Sequence, residues 1–184
     1  MIYFKRLIKW GNITVAININ AKITGLWFKG QKYFPNIPKD ACWLEELTEN
    51  EKIEFAGNTN ALQKIIDVIR KFDLQMKEYT EGKRQSFNLP LAPAGSEFRQ
   101  LVWKELLKIP TGDTVTYGEL GSKVADLMGK EAMSAQAIGG AVGHNPISLI
   151  IPCHRVVGAK GQLTGYAGGI DKKAAILTHE GAKV

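Results

Sequence analysis

A cysteine and a histidine stand side by side at Cys153 and His154, between two apolar runs. The thiolate is the nucleophilic form of cysteine, so a reactive cysteine needs a base or a positive field nearby, and His154 could supply it. A buried cysteine is nevertheless inert more often than it is catalytic. The pair by itself therefore leaves a packing role open, and the neighbouring segments have to decide.

Those neighbouring segments carry polar residues at distinctive distances from the pair. An Asn-Pro step begins eight residues before the cysteine, and a His-Glu-Gly step stands near the end of the chain. Together they form a pattern made of Asn145-Pro146, Pro152–Val157, Thr164–Gly169 and His179–Gly181. This pattern strongly resembles the methylated-DNA–protein-cysteine methyltransferases, also called O6-alkylguanine-DNA alkyltransferases. The resemblance is dense from about Gly95 to Gly181 and looser before that.

The resemblance implies a DNA-repair activity that each molecule performs once. The alkyl group of O6-alkylguanine, or of O4-alkylthymine, in double-stranded DNA would move to Cys153 and remain there as a thioether. The damaged base would first rotate out of the duplex into a pocket. No metal or organic cofactor is expected, and we expect a monomer.

The resemblance also assigns catalytic roles. Cys153 would be the nucleophile and His154 its base through a bridging water, with Glu180 orienting the histidine. Asn145 would tie the turn before the reactive cysteine, and the hydroxyl of Tyr117 would meet the guanine ring. Without the resemblance, Glu180 would be interpreted as an exposed residue at a helix end, Asn145 as part of an ordinary Asn-Pro turn, and Tyr117 as an aromatic residue at a helix start.

Substrate-binding positions follow from the same likeness. Tyr166 would flank the alkyl pocket, with Gly168 beside it, and Ala167 stands where many relatives have serine. Backbone groups of Cys153 and Val156 would read the guanine amino group.

Five residues are candidates for contact with DNA: Ser134, Ala135, Gln136, Gly139 and Arg155. The first four belong to a segment of small residues, which suits either close helix packing or entry of a slim helix into the minor groove. Many relatives have an arginine at the position of Gln136, where it fills the gap left by the flipped base. For Arg155 a structural pairing with a carboxylate or with carbonyls is the favoured alternative.

Composition sets broad limits. A net charge of +6 permits nucleic-acid binding without requiring it, and residues 1–94 are more basic than residues 95–184. No apolar run is long enough to span a membrane, and the start lacks a signal-peptide pattern, so we expect a cytoplasmic protein without membrane contact. The two cysteines, Cys42 and Cys153, should then be free thiols. Zinc in the N-terminal half is not expected, because that half has one cysteine and no histidine.

The N-terminal half predicts strands followed by a helix. Three strands are expected, at 3–7, 13–17 and 23–28, with a hairpin turn at 18–21. Residues 30–58 are polar and irregular. Apolar residues then recur at helical spacing from Leu62 to Met76, a stripe that should cover one face of the sheet. The prolines and glycine of 89–95 predict a boundary between domains at 1–90 and 94–184.

The C-terminal half predicts mostly helix. One helix runs from Phe98 to Ile109 before Pro110, and a capping box of Thr116 and Glu119 starts the next at Tyr117. Ser134 should cap a third helix, and Asp171 a last helix that ends before Gly181. The fold class is α/β (α+β). The resemblance implies a ribonuclease H-like antiparallel sheet with a helix, then a winged-helix-like domain with a helix-turn-helix.

Three other functions compete with alkyl transfer. A non-catalytic sensor of alkylated DNA would share the fold but lack the cysteine, so Cys153 argues against it. A cysteine hydrolase would need an oxyanion hole and usually a distant histidine, and no such signature is visible. A helix-turn-helix regulator would need base-reading side chains, which the small residues of 134–143 do not provide.

Overall fold

The computed structural model describes residues 1–44 and 59–183. Its first part is a sheet with strand order β3-β2-β1-β4. The three long strands are antiparallel, and short β4 pairs parallel to β1. The strands are β1 Ile2–Ile8, β2 Gly11–Ile17, β3 Ile23–Phe28 and β4 Cys42–Trp43. The three predicted strands and their hairpin are confirmed, whereas β4 was missed because two residues leave no periodic signal.

Helix α1, Thr59–Thr80, lies on this sheet. Its stripe of Ile65, Ile69, Phe72 and Met76 is buried, and the ring of Phe72 meets that of Phe4 edge-on at 5.6 Å. The predicted apolar face is therefore confirmed. Part of the polar region expected at 30–58 lies outside the described residues.

Strand β3 joins the two halves of the molecule. Ile23 exchanges backbone hydrogen bonds with Pro90 and Ala92, in the proline-rich segment, each at 2.8 Å. Farther along the strand, Leu26 is bonded in the same way to Pro146 and Ser148. The turn that precedes the reactive cysteine is thus anchored to the N-terminal sheet. The boundary between residues 90 and 94 stays a prediction.

Three helices form the body of the C-terminal half: α2 Glu97–Leu106, α3 Tyr117–Leu127 and α4 Ala135–Gly143. They pack against one another, and α3 followed by α4 has the order of a helix-turn-helix. Short strands β5 Val115–Thr116 and β6 Val156–Val157 pair in parallel, and α5 spans Ile170–His179. The mixed α/β class is as predicted. No helix in the described ranges is long and apolar enough to cross a membrane.

Three of the four predicted helix-end signals are found. Thr116 and Glu119 form the complete capping box, and the hydroxyl of Ser134 accepts from the backbone of Ala137 at 3.1 Å. Gly181 follows the end of α5 with φ of 77°, in the left-handed region that glycine adopts without steric strain. The prediction for Asp171 was wrong: Gly169 occupies the N-cap position, and Asp171 lies inside the first turn, where its charge faces the positive helix end.

Candidate active site

Cys153 opens a short 3-10 turn, Cys153–Arg155, and is buried. The side chain of Asn145 holds this turn: its Nδ2 donates to the carbonyl of Ile151 at 2.8 Å and to Sγ of Cys153 at 3.1 Å. The Oδ1 of Asn145 accepts from the backbone of Ile147 at 3.0 Å. Donating and accepting at once, the amide ties the segment before the cysteine to the cysteine itself. This goes beyond an ordinary Asn-Pro turn.

The thiol is protonated at rest. Burial raises the pKa of Cys153, although the hydrogen bond from Asn145 and the charge of Lys173 oppose that rise. A buried thiolate must therefore form together with the reaction, and a base has to take its proton.

His154 has the protonation state of such a base. Its Nε2 lies 3.1 Å from Oε1 of Glu180, and an ionised carboxylate only accepts, so the network assigns the hydrogen to Nε2. Burial lowers the pKa of His154, although Glu180 acts against it, so the ring is neutral. Its Nδ1 is buried and has no hydrogen-bond partner within residues 1–44 and 59–183. The lone pair of Nδ1 is available to receive a proton.

The side chain of Glu180 is fully buried, so the alternative of an exposed helix-end residue was wrong. Arg155 donates from Nε to Oε2 at 2.9 Å and from Nη2 to Oε1 at 2.7 Å. Burial alone would raise the pKa of Glu180, but hydrogen bonds from His154 and Arg155 outweigh it and lower the pKa to about 2. The carboxylate is therefore charged at every working pH.

The guanidinium of Arg155 is used inside the protein. Besides Glu180, it donates to the carbonyl of Ile109 at 2.5 Å and to the hydroxyl of Thr111 at 2.9 Å. Because Arg155 is buried and its donors point at internal acceptors, this geometry fits a structural pairing and does not fit a contact with DNA phosphate.

A cavity of about 170 Å³ opens onto Cys153. Tyr117, Tyr166 and Ala167 line it, as expected for pocket residues, and so does Gly139. The hydroxyl of Tyr117 donates to the carbonyl of Gly165 at 3.3 Å. The buried hydroxyl of Tyr166 meets no partner in the described part of the chain, which leaves it free to contact a substrate.

Gly168 does not line this cavity, contrary to its prediction as a pocket residue. A Cβ there would lie 2.8 Å from the ring of Tyr166 and 3.0 Å from that of Phe28. Glycine at this position lets the Tyr166 ring pack closely. Its effect on the cavity is indirect.

Four of the predicted DNA contacts lie on α4 or at its start. Ser134, Ala135 and Gln136 are exposed, and a Cβ added at Gly139 would meet nothing within 4 Å. The same open space surrounds Gly140. Close helix packing therefore does not explain these two glycines, and the outer surface of α4 is left slim.

Lys173 was not singled out in the sequence, where it lies in an ordinary polar helix start. Its buried Nζ donates to the carbonyls of Val156 at 2.5 Å and Thr164 at 2.7 Å. Burial lowers the pKa of Lys173 to about 8. Backbone groups of Val156 were predicted to read the guanine amino group, and the carbonyl among them already accepts one hydrogen bond from Lys173 and keeps its second lone pair.

Lys32 and Tyr33 were also missed, because they come from the N-terminal half yet line the cavity. The backbone of Lys32 donates to the carbonyl of Ala167 at 2.9 Å. The ring of Tyr33 stacks on His144 with centroids 3.9 Å apart, and its φ of 63° is rare for a residue with a side chain. No local sequence pattern links a loop to a pocket more than 100 residues away.

Comparison with known proteins gives the family. The model for the DNA-binding domain of 6-O-methylguanine DNA methyltransferase matches residues 97–182. The methylated-DNA–protein-cysteine methyltransferase of Mycobacterium tuberculosis H37Rv is 42% identical over 137 residues, 74% of this chain and 76% of that protein. The chain belongs to the methylated-DNA–protein-cysteine methyltransferase family. The inducible Bacillus subtilis methyltransferase is 33% identical over 162 residues, 88% of this chain and 82% of its own.

A solved methyltransferase structure has the same fold. It is described as Mycobacterium tuberculosis OGT in complex with DNA, with a TM-score of 0.71 and 33% identity. The match covers 98% of this chain and 93% of that one. The resemblance seen in the sequence is therefore confirmed at the level of family and fold.

Proposed function

We propose that this chain transfers the alkyl group of O6-alkylguanine in DNA to Cys153, once per molecule. Membership of the family supports DNA repair by alkyl transfer, and the site supports the assignment of residues. The observation that carries it is a protonated thiol beside a cavity, next to a neutral histidine whose other nitrogen is bound by a buried carboxylate.

Loss of the thiol proton accompanies the transfer. The Sγ–H of Cys153 gives its proton, through a bridging water, to Nδ1 of His154, and the charge of Glu180 stabilises the imidazolium that forms. Asn145 remains bonded to the sulfur and keeps it aimed at the cavity.

The transfer itself is a displacement at carbon. A sulfur lone pair forms the new S–C bond while the C–O6 bond breaks and its electron pair goes to guanine. The hydroxyl of Tyr117 turns from the carbonyl of Gly165 to donate to the purine and stabilises the charge that develops there. The proton held by His154 finally passes to the purine and neutralises it. The thioether is stable, so Cys153 is spent, and the step uses no cofactor or metal.

DNA would be bound by the outer face of α4. This helix would enter the minor groove, and the damaged base would be flipped out of the duplex. Gln136 would fill the gap left in the stack, since an amide can hydrogen-bond the orphaned base. Alkylated thymine at O4 is a second proposed substrate, because the same displacement applies. We also propose a monomer acting in the cytoplasm, where Cys42 and Cys153 would stay reduced, outside any disulfide.

The test is the intact mass of the protein after mixing with an oligonucleotide that contains one O6-methylguanine. We expect a gain of one methyl group, mapped to Cys153 and absent in Cys153→Ser. Lesion-dependent binding with unchanged mass would instead support the alternative, a sensor of alkylated DNA without transfer. Regeneration of free thiol with repeated turnover would contradict single use.

A further inference from the structure

The carboxylate of Glu180 has a donor from the far half of the chain. Tyr79, in the last turn of α1, donates its hydroxyl to Oε1 of Glu180 at 2.5 Å. The tyrosine side chain is buried. A residue of the N-terminal half thus binds directly to the carboxylate that holds His154.

The backbone of Tyr79 fixes this arrangement a second time. Its carbonyl accepts from Nε2 of His179 at 2.7 Å, while Nδ1 of His179 accepts from Nζ of Lys9 at 3.1 Å. The rings of Tyr79 and Trp10 both meet His179 edge-on. Two consecutive residues at the end of α5, His179 and Glu180, are therefore clamped by the N-terminal half.

The direction of the hydrogen bond is determined by charge. Burial and the neighbouring charge of Glu180 raise the pKa of Tyr79 far above its usual value, so the phenol stays protonated and donates. Oε1 accordingly accepts from three groups: Tyr79, Arg155 and His154. The hydrogen bond from the phenol of Tyr79 draws electron density from Oε1 and so weakens the interaction of Oε1 with the imidazole of His154.

We propose that Tyr79 is a positioning residue of the alkyl-transfer reaction, holding the Glu180 carboxylate in place and moderating its pull on His154. The proposal rests on the function proposed above. It gives the N-terminal half a part in the chemistry, through a contact 101 residues distant in sequence.

Removing only the hydroxyl, in Tyr79→Phe, tests this. The acid side of the rate profile should report His154, because Glu180 is ionised throughout and Lys173, with a pKa of about 8, affects the alkaline side. The titratable or charged groups around the His154–Glu180 pair are Cys153, Arg155, Lys173, Tyr166, Tyr79 and, next to Tyr79, His179 and Lys9.

With one donor fewer, Glu180 attracts the imidazolium more strongly, so the acid limb of the single-turnover rate should move to higher pH. We expect a move of about 0.5 pH unit. The rate at neutral pH should also fall roughly fivefold, because the carboxylate loses the donor that holds it in place against His154. Affinity for lesion DNA, measured in a Cys153→Ser background, should not change.

Phe72→Leu is the matched control, because it disturbs the packing of the same helix two turns away without touching Glu180. It should lower the free energy of unfolding without moving the acid limb. A Tyr79→Phe profile that superimposes on the parent's would overturn the proposal while leaving alkyl transfer intact. A parent protein that forms no adduct would refute the function itself, so the two failures are distinct.

Discussion

The two sides of the reaction centre are built in opposite ways. We call Asn145, Cys153, His154, Arg155 and Glu180 the inner side. Their side chains are buried, His154 and Arg155 bind the carboxylate of Glu180, and Asn145 donates to the sulfur of Cys153. The outer side consists of Gln136, Gly139, Tyr33 and Tyr117, which are exposed or half-buried.

The contrast separates chemistry from recognition. Fixed hydrogen bonds in a dry interior hold the reacting groups without reorganisation, which favours charge separation during transfer. An open surface with little bulk leaves room for a duplex and a flipped base. Changes on the inner side should therefore alter rate and stability together, while changes on the outer side should alter binding or selectivity with little loss of stability.

The largest effect is expected for Glu180→Gln. Transfer should fall about 100-fold, because His154 loses the charge that stabilises its imidazolium. The free energy of unfolding should fall by about 3 kcal/mol, because the buried Arg155 loses its counter-charge. Single-turnover rates and urea unfolding measure both. Glu119→Gln, at the exposed carboxylate that caps α3, is the control; if both variants transferred at the parental rate, the inner side would have no catalytic role.

The same carboxylate predicts a dependence of stability on pH. The pKa of Glu180 is about 2 in the fold, against an ordinary value of 4.5. The stability contributed by the ionised form is thus complete above pH 4.5 and is lost as the pH falls toward 2. Unfolding of the parent should therefore show a loss of about 3 kcal/mol over this range that Glu180→Gln lacks. If the free energies of unfolding of the parent and of Glu180→Gln changed in parallel with pH, the fold would not lower the pKa of Glu180.

On the outer side, Gly139→Leu should weaken DNA binding roughly tenfold, because the minor groove is only ~6 Å wide. Stability should rise by about 0.7 kcal/mol, since leucine favours helix over glycine and a Cβ at Gly139 meets nothing. Binding assays and thermal unfolding distinguish the two effects. Gln63→Leu, which adds an exposed leucine to α1, should leave DNA affinity unchanged. Unaltered affinity of Gly139→Leu would remove α4 from the interface.

Tyr33→Ala should change the selectivity for the size of the alkyl group, with little effect on the transfer of a methyl group. The ring forms one wall of the cavity, so its loss should raise the rate for O6-benzylguanine relative to O6-methylguanine about fivefold. Tyr33→Phe keeps the ring and serves as the control. Equal ratios in all three proteins would show that the wall does not limit the size of the alkyl group.

The smallest effect is expected for Gln136→Arg. An added positive charge on the DNA-facing surface should steepen the dependence of log affinity on log salt concentration by about 0.9. Binding at several salt concentrations gives the slope, and Gln63→Arg on α1 tests whether position matters. Identical slopes for Gln136→Arg and the parent would place residue 136 away from phosphate.

Much of the architecture followed from local sequence patterns. The strands, the stripe of α1, the capping box at Thr116 and the cap at Ser134 were predicted, because each depends on residues within a turn or two. The Asp171 cap failed for a local reason: α5 starts at Ile170, earlier than the cap rule placed it. Strand β4 and the loop at Lys32 and Tyr33 had no periodic signal to detect.

The sequence by itself determined the family, the fold class and those neighbours of Cys153 that belong to the motif, because a distinctive motif specifies them together. Tertiary structure alone decided that the side chain of Glu180 is buried and that Arg155 and Tyr79 both donate to its carboxylate. It also decided that the Nζ of Lys173 is buried against the carbonyls of Val156 and Thr164. These contacts join segments 9 to 101 residues apart. Burial and electrostatics depend on which surfaces meet when the halves pack, and no local pattern encodes that meeting.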